Sequence, residues 1–414
     1  MYIERKIEPL ILDYLGKREI LAIVGPRQSG KTTLLKKIQG QLENSIFLNF
    51  EDRDDLELFE QDIKGFAKKY FHHKYIFIDE FQYSKNGGKL LKYLFDTFPE
   101  NKIIISGSST IDLTIHAIKY LVGRVFVFNL YQLDFEEFLR FRDGNLFKIY
   151  EENKKIVDLK NNKVGTLDVS KNINGQMNNI LEEFIIWGGY PRVVLAEDMK
   201  EKEMILKNIY NTYFLRDVKD LLGLADDFRL SRLLRALSVQ IGQLIAYNEL
   251  GNISGYDYIT LKKYINILEK TFICKTIRPF FVNKRTEIVK NPKVYFFDTG
   301  LRNYVIDDFN KLENRLDKGF LYENFIATQF IKKDMEMNFW RTKTGAEVDF
   351  VIDANNEKIP LESKSGFSSA KISKSLTSFI REYNPRCAVI ANESSIEIEK
   401  KSKTQIYLLP HWIV

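Results

Sequence analysis

The sequence predicts an α/β protein of several units, and three observations carry the prediction. The 414 residues correspond to two to four domains at the usual ~100–200 residues each. Residues 1–145 alternate short β-branched or aromatic runs with helical patterns, the order expected of a parallel sheet flanked by helices. A second, shorter α/β pattern fills residues 317–414, behind a stretch that reads as helices.

The first unit takes its strands from Ile20–Val24, Ser45–Leu48, Tyr75–Ile78, Lys102–Ser106 and Val125–Leu130. Residues 146–178 are rich in Lys and Asn and read as a polar surface insertion. Residues 179–225 have helical periodicity interrupted by Gly188-Gly189-Tyr190-Pro191 and read as a small helical lid. Residues 226–298 give three helices (Arg229–Gly242, Ala246–Ile253, Tyr258–Lys270) and strands near Phe272–Arg278 and Glu287–Phe297, with Asn283-Lys284-Arg285 at the turn. That order is a winged helix-turn-helix. Residues 299–316 read as a linker. The last unit has a helix Leu321–Lys332, strands Met337–Thr342, Glu347–Ile352 and Lys358–Ser363, a helix Ala370–Arg381, and strands Cys387–Ala391 and Gln405–Leu409.

Composition narrows the class. Hydrophobic content of 44% beside 29% charged residues excludes a disordered or fibrous chain. No run approaches ~18 apolar residues, and Glu4, Arg5, Lys6 and Glu8 stand where a signal peptide would be apolar, so a cytoplasmic protein with no membrane partner is expected. Cys274 and Cys387 make no disulfide framework, and His72, His73, His116 and His411 lack metal-ligand spacing. The net charge of +6 is local: residues 226–290 hold 11 basic and 6 acidic side chains, a cationic surface on one unit.

Gly25-Pro26-Arg27-Gln28-Ser29-Gly30-Lys31-Thr32 matches a phosphate-binding loop in full, between a strand and a helical run that begins with Thr33. The glycines let backbone N–H groups curl around phosphates at a helix N-terminus. Lys31 neutralises phosphate charge, and the Thr32 hydroxyl can ligate Mg²⁺. Tyr75-Ile76-Phe77-Ile78-Asp79-Glu80 is an apolar strand ending in two carboxylates: Asp79 to hold Mg²⁺ and Glu80 to polarise the attacking water. After the fourth strand, Ser108 or Ser109 is placed to contact the γ-phosphate or that water. Arg124, between Gly123 and the fifth strand, is the candidate arginine finger toward a neighbouring subunit's ATP; a helix-capping or ion-pairing role is the alternative.

In the basic segment, Lys262, Lys263, Asn266 and Lys270 fall opposite the apolar positions Leu261, Ile265 and Leu268. Lys284 and Arg285 sit at the turn. These six are the candidate DNA contacts, although winged helices also dock proteins. In the last unit, Asp349 and then Glu362-Ser363-Lys364 on the next strand put two carboxylates and an ammonium at one sheet edge. That set suits Mg²⁺ or Mn²⁺ activating a water, with Glu323 as a further acid.

These residues resemble those of the bacterial and archaeal AAA+ ATPases that carry a C-terminal half of unassigned function. The resemblance rests on Val24 to Thr32, Ile78-Asp79-Glu80-Phe81-Gln82, Ser106-Gly107-Ser108-Ser109, Gly123-Arg124 with Leu133-Asp134-Phe135-Glu136-Glu137-Phe138, Gly188-Gly189-Tyr190-Pro191, Arg216-Asp217 and Val294-Tyr295-Phe296-Phe297-Asp298-Thr299-Gly300-Leu301. It implies an AAA+ parallel-sheet core, ATP binding and hydrolysis in a homo-oligomer, a helical lid, a winged helix, and a restriction-endonuclease-like C-terminal domain with Asp349, Glu362 and Lys364 at the nuclease positions. The reading that follows is an ATPase acting on DNA with a metal-dependent nuclease-like domain. The alternatives are a nucleotide-regulated switch or scaffold whose nuclease-like domain is not catalytic, and a winged-helix transcriptional regulator.

Overall fold

A run such as Ile20-Leu-Ala-Ile-Val24 has no polar face, so it is stable as a strand only where both faces of its sheet are covered. The computed structural model describes every residue except 1, 109–117, 213–217, 225–226, 282, 284, 286, 288–289, 355–356 and 367–370. The chain forms two compact units. One comprises residues 1–133, 190–195 and 265–273; the other comprises 134–189, 196–264 and 274–414.

The first unit holds β1 (Ile20–Val24), β2 (Ser45–Asn49), β3 (Tyr75–Asp79), β4 (Lys102–Gly107) and β5 (Val125–Asn129). They pair in the order β2-β3-β4-β1-β5, and every pairing is parallel. All five residues of β1 are buried. Leu21, Ile23, Phe77 and Ile104 pack with Leu34, Leu35 and Ile38 of the helix Lys31–Gln39, which fixes that helix behind β1. The phosphate-loop and Asp79 ends of β1 and β3 thereby open at the same sheet edge, the usual ligand edge of a parallel α/β sheet.

In the second unit, the helices Phe228–Val239, Tyr247–Ser254 and the first half of Tyr258–Lys270 precede a ribbon of β6 (Cys274–Ile277) and β7 (Lys293–Phe296). Val294 and Lys293 of β7 also bridge back to Ile241 and Leu244. Both ribbon strands are shorter than the sequence suggests. Arg285 and Glu287 fall in a helical turn, and Lys284 lies outside the described residues. The apolar run after β6 instead joins the C-terminal sheet: Phe339 N–H donates to Arg278 O at 3.2 Å, and Phe280 is buried with Trp340, Val348 and Phe379.

That sheet has the order β12-β13-β11-β10-β9-β8, from β8 (Met337–Arg341), β9 (Glu347–Ala354), β10 (Glu357–Ser363), β11 (Cys387–Asn392), β12 (Glu397–Lys401) and β13 (Thr404–Pro410). β8, β9 and β10 are antiparallel neighbours, and β10, β11 and β13 run parallel. With the helices Lys318–Lys332 and Lys374–Tyr383 this is the helix–strand–strand–strand–helix–strand order expected of residues 317–414, with β12 added at the edge.

Two expectations about connecting segments are corrected. Residues 299–316 are not a linker: they contain the helix Thr299–Ile306 and the buried side chains of Arg302 and Arg315, held by Asp317. Nor is 146–178 merely a surface insertion. Leu159 and Met177 are buried, and Asn174 accepts the indole N–H of Trp412 at 2.8 Å.

Candidate active site

The loop after β1 cannot carry a side chain at its first residue. A Cβ on Gly25 would lie 2.0 Å from Leu130 O, because β1 leaves the sheet directly beside the end of β5. Gln28 and Gly30 then turn through positive φ of 61° and 94°, and the helix starts at Lys31. The N–H groups of its first turn have no intrahelical partner, which makes the loop a phosphate cradle. Ser29 Oγ and Gln28 Oε1 are buried beside it without a hydrogen-bond partner among the described residues.

Lys31 is buried and donates to Gly25 O and Pro26 O, both at 2.9 Å. Burial brings its pKa down to about 8, against the opposing pull of Glu80 and Asp79. Thr32 Oγ1 donates to Asp79 Oδ2 at 2.6 Å, and the Ser106 hydroxyl donates to Asp79 Oδ1. Asp79 is therefore met by two hydroxyls and, among the described residues, by no directly ion-paired cation, a donor set of hard oxygens that fits Mg²⁺. Thr33 is exposed. Glu80 follows at φ 53°, half-buried, and burial raises its pKa despite Lys31. Gln82 Nε2 donates to Glu80 Oε2, and Ser108 N–H donates to Gln82 Oε1 at 3.3 Å. Ser109 lies outside the described residues.

Arg124 stands at the opposite sheet edge, just ahead of the Ile20–Val125 pair that starts the β1–β5 register. Its guanidinium pairs with Asp96, at 3.0 and 3.4 Å, so in this subunit it makes the ion pair of the alternative reading. Sequence reasoning gave no role to Arg5. It is buried and ties the loop down, donating to Ser29 O and Tyr131 O at 2.7 Å each.

In the C-terminal sheet, the Leu361–Phe350 pair sets Glu362 beside Asp349. Asp349 Oδ2 accepts Ser363 N–H at 2.8 Å, Glu362 Oε1 accepts the Ser373 hydroxyl at 2.5 Å, and Lys364 Nζ lies 3.2 Å from Glu362 Oε2. The predicted trio is thus brought together. Glu323, the further acid, lies close enough for the Asp349 charge to act on it, and its carboxylate accepts Lys293 Nζ at 2.9 Å and the Tyr295 hydroxyl at 2.6 Å. Among the described residues no three acidic, His or Cys side chains converge as a metal cage. Lys293, which the sequence did not single out, is buried and also reaches Glu347 Oε1 at 2.6 Å. Burial pushes Glu323 up to about 7. For Lys293 burial acts the other way, but Glu323, Asp349 and Glu347 outweigh it and raise the ammonium's pKa.

Of the candidate DNA contacts, Lys262, Lys263, Asn266 and Lys270 are all exposed along one helix, with Lys262 over the Tyr258 ring at 4.4 Å, and Arg285 is exposed. No helix among the described residues is long and apolar enough to cross a membrane.

The phosphate loop, the paired carboxylates and the parallel sheet define a P-loop nucleoside triphosphatase fold. Within that class, residues 17–139 match the family described as AAA domain, so the N-terminal unit is a P-loop AAA+ ATPase domain. Residues 178–312 and 318–412 match two domains of unknown function, DUF8612 and DUF4143. The chain is similar to an uncharacterized protein of Haemophilus influenzae, at 25% identity over 353 residues covering 80% of this chain and 79% of that one. An uncharacterized protein of Methanocaldococcus jannaschii is 25% identical over 354 residues, 82% of this chain and 74% of that one. Among solved structures, the Walker-type ATPase of Pyrococcus abyssi superposes with a TM-score of 0.47 at 16% identity, over 73% of this chain and 96% of that one.

Proposed function

We propose that the protein is a Mg²⁺-dependent ATPase that acts on DNA. The observation that carries the catalytic half is the convergence of the Thr32 and Ser106 hydroxyls on Asp79 at the mouth of the phosphate loop, with Glu80 the next residue along the chain. When bound, Mg²⁺ held by Thr32 and Asp79 supplies charge neutralisation of the β- and γ-phosphates. Gly25 to Thr32 cradle the phosphates, Lys31 leaves the loop carbonyls for them, and Glu80 takes the proton of the attacking water. Thr33 and Ser108 line the nucleotide, and Arg124 exchanges Asp96 for a neighbouring subunit's γ-phosphate in a homo-oligomer.

Lys31→Ala and Glu80→Gln should each lower ATP turnover by about 10²-fold or more, measured as phosphate release with Mg²⁺. Turnover at the wild-type rate in either variant would sink the assignment.

The DNA half rests on the exposed row Lys262, Lys263, Asn266 and Lys270 on the third helix of a winged helix, with the exposed Arg285 between the two ribbon strands; Lys284, its sequence neighbour, is the sixth candidate contact. Asp349, Glu362 and Lys364 then form a nuclease-like centre for Mg²⁺ or Mn²⁺. One observation favours a second reading, a nucleotide-regulated scaffold with a non-catalytic C-terminal domain. Lys293 already places a positive charge against Glu323 and Glu347. Duplex, single-stranded and branched DNA incubated with Mn²⁺ separate the two: cleavage lost in Asp349→Ala supports the nuclease, and intact DNA supports the scaffold.

A further inference from the structure

The two carboxylates that close the ATP site are held differently. Asp79 is fixed by hydroxyls from the helix Lys31–Gln39 and from β4. Glu80 sits one residue past the end of β3, at a φ of 53° that a non-glycine residue seldom adopts, and its carboxylate must be aimed from elsewhere. Gln82 lies two residues on, in the turn Phe81–Tyr83. That turn is rigidly seated: Phe81 is fully buried against Phe50 and Phe59, with ring centroids at 5.6 and 5.9 Å.

The orientation of the Gln82 amide follows from its neighbours rather than from electron count. Ser108 N–H is a donor and can face only the amide oxygen, at 3.3 Å; the amide nitrogen is thereby left to face Glu80, where an ionised carboxylate is an acceptor. One side chain thus spans the gap between the carboxylate and the backbone at the end of β4. Ser106, two residues earlier, reaches Asp79 from the same strand.

We propose that Gln82 is a positioning residue for ATP hydrolysis, which orients the Glu80 carboxylate and ties it to the end of β4 through Ser108. The inference rests on the ATPase reading. It makes β4 the element to which both carboxylates answer, Asp79 through a hydroxyl and Glu80 through an amide. A shift of the β4 terminus on nucleotide binding is then felt at the water-activating group.

The experiment compares steady-state ATP turnover and binding of a fluorescent ATP analogue in the wild type, Gln82→Ala and Gln82→Glu. Loss of aim should lower kcat about tenfold or more, with KM and analogue Kd within about twofold of wild type. Gln82→Glu has the same shape but no N–H to give, and should fall as far as Gln82→Ala, with thermal melts confirming the fold. In single turnovers, Gln82→Ala should add nothing to Glu80→Gln, since both act on one group. A kcat close to wild type, an additive effect in the double variant, or a loss confined to nucleotide affinity overturns the inference. If the wild type itself shows no turnover, the ATPase reading fails and takes this one with it; active wild type beside indifferent Gln82 variants removes this inference alone.

Discussion

The phosphate-loop site and the C-terminal carboxylate site use the same residue types at the edge of a sheet and treat them in opposite ways. In the first, Lys31 is turned to the carbonyl oxygens of its own loop, and Asp79 is met by the hydroxyls of Thr32 and Ser106. In the second, Lys293 lies between Glu323 and Glu347, and Lys364 is paired with Glu362. A hydroxyl satisfies a carboxylate without cancelling its charge; an ammonium does both. The first site therefore keeps its negative charge for a cation and its positive charge for an anion. Much of the second is neutralised from within.

Removing the internal cation is the strongest way to break this contrast. Lys293→Met leaves Glu323 buried with no counter-charge, and should cost about 3–5 kcal/mol of stability, read by chemical denaturation. Lys293→Met combined with Glu323→Gln should recover most of it, and a single variant as stable as wild type would mean that the carboxylates do not depend on Lys293.

Asp317 sharpens the contrast as a carboxylate held by guanidinium groups. Burial alone would raise its pKa, but hydrogen bonds and charge from Arg315 and Arg302 hold it at about 2, against an ordinary 3.8. The folded pKa is the lower one, so the contribution is complete above about 4 and disappears as the pH falls toward 2. Asp317→Asn should cost about 2 kcal/mol at neutral pH and lose less stability than wild type between pH 4 and 2. Denaturation midpoints measured across that range decide it.

The smallest effect is expected where cations face solvent. Lys262→Ala/Lys263→Ala should reduce the slope of log affinity for duplex DNA against log salt by about 2, in fluorescence anisotropy titrations. An unchanged slope removes these lysines from any DNA interface.

How much of this was legible in the sequence depended on where the side chains end. The five parallel strands fall within a residue or so of expectation because a strand covered on both faces must be a continuous apolar run. The phosphate loop and the Asp79-Glu80 pair were legible because their chemistry is local. Residues 299–316 contain Arg302 and Arg315, and a buried guanidinium and an exposed one are the same letter in a sequence; only the fold reveals Asp317 beside them. Asn174 and Asn178 misled in the same way, as both donate to Glu393 O inside the molecule. The strand β12, Glu-Ile-Glu-Lys-Lys, went unseen because charge on a sheet edge looks like a loop. Lys293 was invisible as a partner because Glu323 is 30 residues away.

The junction at the end of the helix Lys171–Trp187 has a further consequence. A Cβ on Gly300 would lie 2.0 Å from Trp187 O, and Asp298 Oδ2 accepts Gly189 N–H across 109 residues of chain. Gly188 turns there at φ 77°, with the Asp298 carboxylate where its own side chain would stand. On the ribosome, this turn waits for its partner: at roughly 5–20 residues per second, the segment 188–189 emerges several seconds before Asp298 exists to cap it. A nascent chain halted before residue 298 would hold that helix with an unfinished end, and should be cut by protease at Gly188-Gly189, where the completed protein resists.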